Sequence, residues 1–131
     1  MADAQALREL ADEVEGLPGP SRQTDPRIER AVHGSVPLHW AARGGVITDG
    51  LDDRNDFIAR YTGSIDDAAK LMPPGWSGKV EFSAQRVVAH AWHAEHRGVR
   101  VEARTEPLAR TACALRAIAA DIEAKEGADD R

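Results

Sequence analysis

Val87-Val88-Ala89-His90-Ala91-Trp92-His93-Ala94-Glu95, followed by His96, is the stretch on which the reading of this chain turns. Three of the five histidines, a glutamate and a tryptophan fall between positions 90 and 96. On a helix, His90 would stand near His93 and His93 near His96, gathering ligands on one face. On a strand, His90, Trp92 and Ala94 go to one side and Ala91, His93 and Glu95 to the other. Fully extended, His90 and His96 lie about 20 Å apart, whereas zinc ligands all sit about 2.0–2.2 Å from their ion. The β-branched pair before the cluster and Gly98-Val99 after it favour the strand, with a reversal at His96-Arg97-Gly98.

The flanks extend this reading into a sheet. Val80, Phe82 and Ala84 alternate with Lys79, Glu81 and Ser83, and a turn near Gln85-Arg86 leads into the histidine strand. Val99, Val101 and Ala103 alternate with Arg100, Glu102 and Arg104, completing an antiparallel meander. Thr105 then caps a final helix with Pro107 in its first turn. Leu108, Thr111, Ala112, Leu115, Ile118, Ala119 and Ile122 share one apolar face of it.

Upstream, Tyr61 to Trp76 reads "YTGSIDDAAKLMPPGW". Ser64 is placed to cap a helix, and Asp67 to complement its dipole and complete a box with the cap. Ile65, Ala68, Ala69, Leu71 and Met72 supply its buried side, Pro73-Pro74-Gly75 stops it, and Trp76 fills the core. Near the N-terminus, Leu7, Leu10, Val14 and Leu17 form a helical stripe ended by Gly16 and Pro18-Gly19-Pro20. Asp25, as a cap, and Pro26 open a second helix that closes at Gly34. Between them and Tyr61 lies an irregular connection pinned by Trp40, Ile47 and Phe57.

The expected fold is α+β: a three-stranded antiparallel meander packed with helices, αβα sandwich-like, in the order α-α-loop-α-β-β-β-α. Residues 1–34 form a helical pair, 35–60 the connection, 61–124 the αβββα core and 125–131 a polar tail.

The Tyr61–Trp76 segment resembles Tyr-Thr-x-Ser-(aliphatic)-Asp-x-Ala-x-x-Leu-x-Pro-x-Gly-Trp, the motif of the phage αβα-sandwich domain family of small phage and prophage proteins. The resemblance runs from about Asp56 to Ile122 and takes in the sheet and the Ala-rich last helix. It implies phage origin and helices around a sheet. It carries over no catalytic residues.

Composition narrows the function. A net charge of −5 over 131 residues provides no electrostatic footprint for nucleic acid or anionic membrane. No apolar run approaches the roughly 20 residues a membrane-spanning helix needs, and no secretory signal opens the chain. The single cysteine, Cys113, permits neither an internal disulfide nor a cysteine zinc cage and suits a reducing cytoplasm.

Candidate chemistries lack their companions. His93-Ala94-Glu95 imitates half of the zinc-deaminase signature, but no Pro-Cys-x-x-Cys accompanies it. The zincin spacing fails because Arg97 stands where the second histidine belongs. Asp49 to Asp56 lacks EF-hand ligand spacing, and Gly44-Gly45 precedes no phosphate-binding Lys-Ser/Thr. Cys113 falls in a strip of small residues with Ala109, Ala117, Ala120 and Ala124, suited to close packing.

The expectation is therefore a non-catalytic protein without metal or cofactor, acting in the host cytoplasm. Its partner is a host or phage protein, in host modulation or defence inhibition, or further copies of itself. The candidate contact surface comprises Lys79, Glu81, Arg100, Glu102 and Arg104, joined by His90 and Trp92 if the middle strand turns that side outward. The residue pattern leaves that register open, since Val88 and Trp92 favour burial while Ala89 and Ala91 would suit a close helix. Two alternatives are a small metal-dependent enzyme using His90, His93, Glu95 and His96, and a minor virion component.

Overall fold

A computed structural model of the chain describes residues 3–33 and 59–129. Helix α1 spans Ala4–Glu15, α2 Thr24–His33 and α3 Ile65–Ala69. Strands β1 (Trp76–Ser83), β2 (Arg86–His93) and β3 (His96–Ala103) form an antiparallel sheet in sequence order, and α4 (Glu106–Asp129) closes the described chain. The α+β architecture expected from the sequence is the one found.

Local chemistry sets the helix starts. Asp3 caps α1 by accepting from the Ala6 N–H, and Ser64 caps α3 by accepting from the Asp67 N–H at 3.2 Å. Asp67 does not complete the expected box: its carboxylate accepts instead from the Arg60 N–H at 2.8 Å. The Thr105 hydroxyl accepts from the Leu108 N–H and caps α4. This helix runs on to Asp129, past the boundary expected at residue 124.

Helix α4 is the centre of the molecule. It packs on β2 and β3 on one side, on α1 on another and on α3 on a third. Leu108, Ala109, Thr111, Ala112, Cys113, Ala114, Leu115, Ala117 and Ala119 are all buried. The apolar face expected for it is buried at Leu108, Thr111, Ala112, Leu115 and Ala119. The strip of small residues expected to pack closely is buried at Ala109, Cys113 and Ala117, so the middle of the helix is enclosed all round. Its alanines permit that close enclosure.

The apolar stripe of α1 meets it with Leu7, Leu10 and Val14 buried, each such side chain contributing about 1.5–3 kcal/mol. Charged groups staple the rim. Arg116 of α4 pairs with Asp12 and Glu15 of α1, and Arg8 pairs with Glu123.

Asp25 is not the cap of α2. Ser21 takes that role, its hydroxyl accepting from the Thr24 N–H. Asp25 lies one residue inside the helix, wholly buried, and accepts from the Thr62 N–H at 2.9 Å and the Thr62 hydroxyl at 2.8 Å. Arg22 completes the arrangement with a 2.8 Å ion pair. Burial pushes the Asp25 carboxyl above its ordinary value despite these partners. Tyr61 next to it donates to Glu29 and gives its carbonyl to the Thr111 hydroxyl. This network fastens the N-terminal helices to the segment that leads into α3.

All described helices stack on one face of the sheet, as α4 with α3 and then α1 with α2. Among the described residues no helix covers the other face, so the enclosure implied by the family resemblance is one-sided there. The closing residue Gly34, the anchors Trp40, Ile47 and Phe57, Gly44-Gly45 and the Asp49–Asp56 cluster lie outside the described residues.

Candidate functional site

The face of the sheet turned away from the described helices, its open face among the described residues, gathers most of the candidate contact residues. Ala89 of β2 stands opposite Val80 and Val101, and Ala91 opposite Gly78 and Val99. These residues, with Val87 and Ala103, face the helices. Val88, His90 and Trp92 therefore take the other side, where Val88 is nonetheless buried and Trp92 half-exposed; this settles the register that the residue pattern left undecided.

That side is banded. Ser77 stands opposite Trp92, Lys79 opposite His90 opposite Arg100, and Glu81 opposite Val88 opposite Glu102. An aromatic position is thus followed by a basic row and then an acidic row. Between the basic and acidic bands, Lys79 pairs with Glu81 at 2.7 Å and Arg100 with Glu102 at 2.8 Å, while His90 lies 4.0 Å from Glu81. The hydrogen bond from Lys79 holds the Glu81 carboxyl below its ordinary value. Arg104, just beyond β3, is also exposed.

Trp92 is 47 % exposed at the end of this face. An indole presented to solvent beside ordered charges is the kind of group that anchors protein contacts.

The other histidines go elsewhere. The turn falls at Ala94-Glu95, earlier than the expected His96-Arg97-Gly98 reversal, and β3 begins at His96. Ala91 pairs with Val99 but His93 pairs with His96, so the register shifts by one residue at Trp92. A bulge of this kind re-aims the side chains beyond it. Here it returns His96 to the side of His93. Their rings stack with centroids 4.3 Å apart, beside the buried Trp76 ring at 5.7 and 5.5 Å.

His93 and His96 therefore do not splay as an unbroken strand would make them. His90 alone stands apart, across the sheet. The His93 Nδ1 accepts from the Glu95 N–H at 3.0 Å, and the His96 Nε2 lies 3.1 Å from Asp121 Oδ1. The same Asp121 oxygen accepts from the Trp76 indole N–H at 3.0 Å. Asp121 is the residue sequence reasoning missed; about three and a half helical turns beyond Leu108, it gave no pattern that tied it to a strand. Among the described residues no group of three or more His, Cys, Asp or Glu side chains could hold a metal ion.

Cys113 faces a cavity of about 110 Å³ lined by Ala68, Ala69, Met72, Val80 and Ala89. It is 1 % exposed, and burial pushes its thiol up to about 11. The thiolate that nucleophilic chemistry requires is disfavoured there. Its place in the packing is against the sheet and α3.

Comparison with known proteins found no matching family model, no similar curated protein and no similar solved structure.

Proposed function

We propose that the chain is a non-catalytic phage or prophage accessory protein that binds another protein through the open face of its sheet. The observation that carries this reading is the half-exposed Trp92 beside a basic row and an acidic row on one face of the sheet. The resemblance of Tyr61–Trp76 to the phage αβα-sandwich domain supports phage origin. The net charge of −5 supports a protein partner over nucleic acid.

The banding describes the partner. It presents an apolar pocket for Trp92, an acidic row to meet Lys79, His90 and Arg100, and basic groups to meet Glu81 and Glu102. A host protein engaged in this way would be modulated or blocked by occupation of its surface. No described helix is long and apolar enough to cross a membrane, and the host cytoplasm is the compartment we propose.

Affinity capture from host lysate tests the reading. The wild-type bait is expected to retain one protein that an equally folded Trp92→Ala bait releases. A protein retained equally by both baits, or none retained by either, overturns it.

A further inference from the structure

Among the described residues strand β1 is an edge of the sheet, and the side turned away from β2 carries a pattern that matches itself. Lys79 and Glu81 lie on the open face on either side of Val80, while Gly78 and Phe82 lie on the helix side at equal distances from it. Phe82 is 72 % exposed although it points to the side that buries Val87 and Ala103.

The geometry points to a second copy of this chain as the occupant of that edge, pairing β1 with β1 antiparallel about Val80. The inference stands independently of the Trp92 surface. A two-fold axis through the sheet keeps each face with its own kind, so paired residues must share a face and the register must centre on a residue. Centring on Lys79 sets lysine against lysine, and centring on Glu81 sets glutamate against glutamate. Centring on Val80 sets Lys79 against Glu81 twice, Ser77 against Ser83 twice and Val80 against itself.

The same register lays each exposed Phe82 over the Gly78 of the other copy, where a cross-strand aromatic covers the bare glycine backbone. Gly78 is itself required within the chain, because a Cβ there would lie 2.8 Å from the His90 carbonyl oxygen. Charges on an edge ordinarily discourage pairing. Here they exclude the neighbouring registers and admit one.

The opposite edge fits less well. In β3, Arg100 and Glu102 also flank a valine, but Val101 and Ala103 are already buried, α1 packs alongside and the register shifts at its start. It has no exposed aromatic to cover.

The resulting six-stranded sheet places both open faces on the same side, a doubled platform with two copies of Trp92. Light scattering after size exclusion, at micromolar concentrations and above, tests it on the full chain. The wild type is expected to be a dimer. Lys79→Glu and Glu81→Lys each set like charges opposite and weaken dimerisation roughly tenfold or more, and the double exchange restores it. Phe82→Ser, at an exposed position, weakens it without unfolding, while Arg100→Glu leaves it unchanged. A monomeric wild type overturns the inference. So does a dimer indifferent to the β1 charges, one not restored by the double exchange, or one broken by Arg100→Glu.

Discussion

The Trp76 indole donates its N–H to Asp121 Oδ1 at 3.0 Å, joining the first residue of the sheet to the last helix across 45 positions of sequence. Asp121→Ala leaves that donor without its acceptor and removes the carboxylate 3.1 Å from His96. The expected loss is about 1–3 kcal/mol in denaturant unfolding. Asp121→Asn keeps an acceptor oxygen and should lose less. Equal stability of all three proteins would remove Asp121 from the account of the fold.

The buried Asp25 carries a second prediction. Asp25→Ala strands the Thr62 N–H in the interior and should cost about 1–3 kcal/mol. The pH dependence has a definite sign. Burial raises the folded-state value above the unfolded one, so the folded chain holds the proton more tightly. Any stability gained by protonation is present below the unfolded value and lost as pH rises through the folded one. Thermal unfolding of the wild type, relative to the non-titrating Asp25→Asn, should therefore decline with rising pH across the window immediately above the ordinary aspartate value. A difference that grows with pH would reverse the assignment.

Cys113 should be silent toward thiol reagents in the native protein. Its thiol is pushed up to about 11 and its side chain is closed in by the sheet and α3. Labelling by an aromatic disulfide at mildly alkaline pH is expected only as fast as the fold opens, and at once in denaturant. Rapid native labelling would show that the thiol is accessible.

Gly75 has a φ of +90°, and a Cβ there would lie 2.9 Å from the His93 Nε2. Gly75→Ala therefore meets both backbone strain and the imidazole. The expected destabilisation exceeds about 1 kcal/mol, read as a lower denaturant midpoint. An unchanged midpoint would mean the turn before β1 tolerates a side chain.

Much of the architecture was legible because its signals are local. Ser64 and Thr105 announced their helices by capping chemistry, and the alternation around Val80 and Val101 announced the strands. What sequence reading missed depended on distant partners. Asp25 looks like a cap until Thr62 is brought beside it. Helix α4 shows an apolar face and a strip of small residues, but which neighbours cover them emerges only when α1, α3 and the sheet surround it. Phe82 reads as core, yet the described helices lie mainly over β2 and β3 and leave this end of the edge strand exposed.

The candidate face shows the same division. Alternation placed His90 with Trp92 and set Lys79, Glu81, Arg100 and Glu102 on one side, but only pairing could decide which side was covered. His96 escaped because a one-residue shift at Trp92 changes its phase. The Arg97-Gly98 step is the one trace of that shift in the sequence, since a glycine within a strand pattern often marks a bulge.

The central claim is that the open sheet face binds a protein with Trp92 as its anchor. Its most direct test is the dissociation constant of the captured host protein for the wild type and for folded Trp92→Ala. The account predicts a weakening of roughly thirtyfold, as removal of an aromatic anchor produces; equal affinities would contradict it.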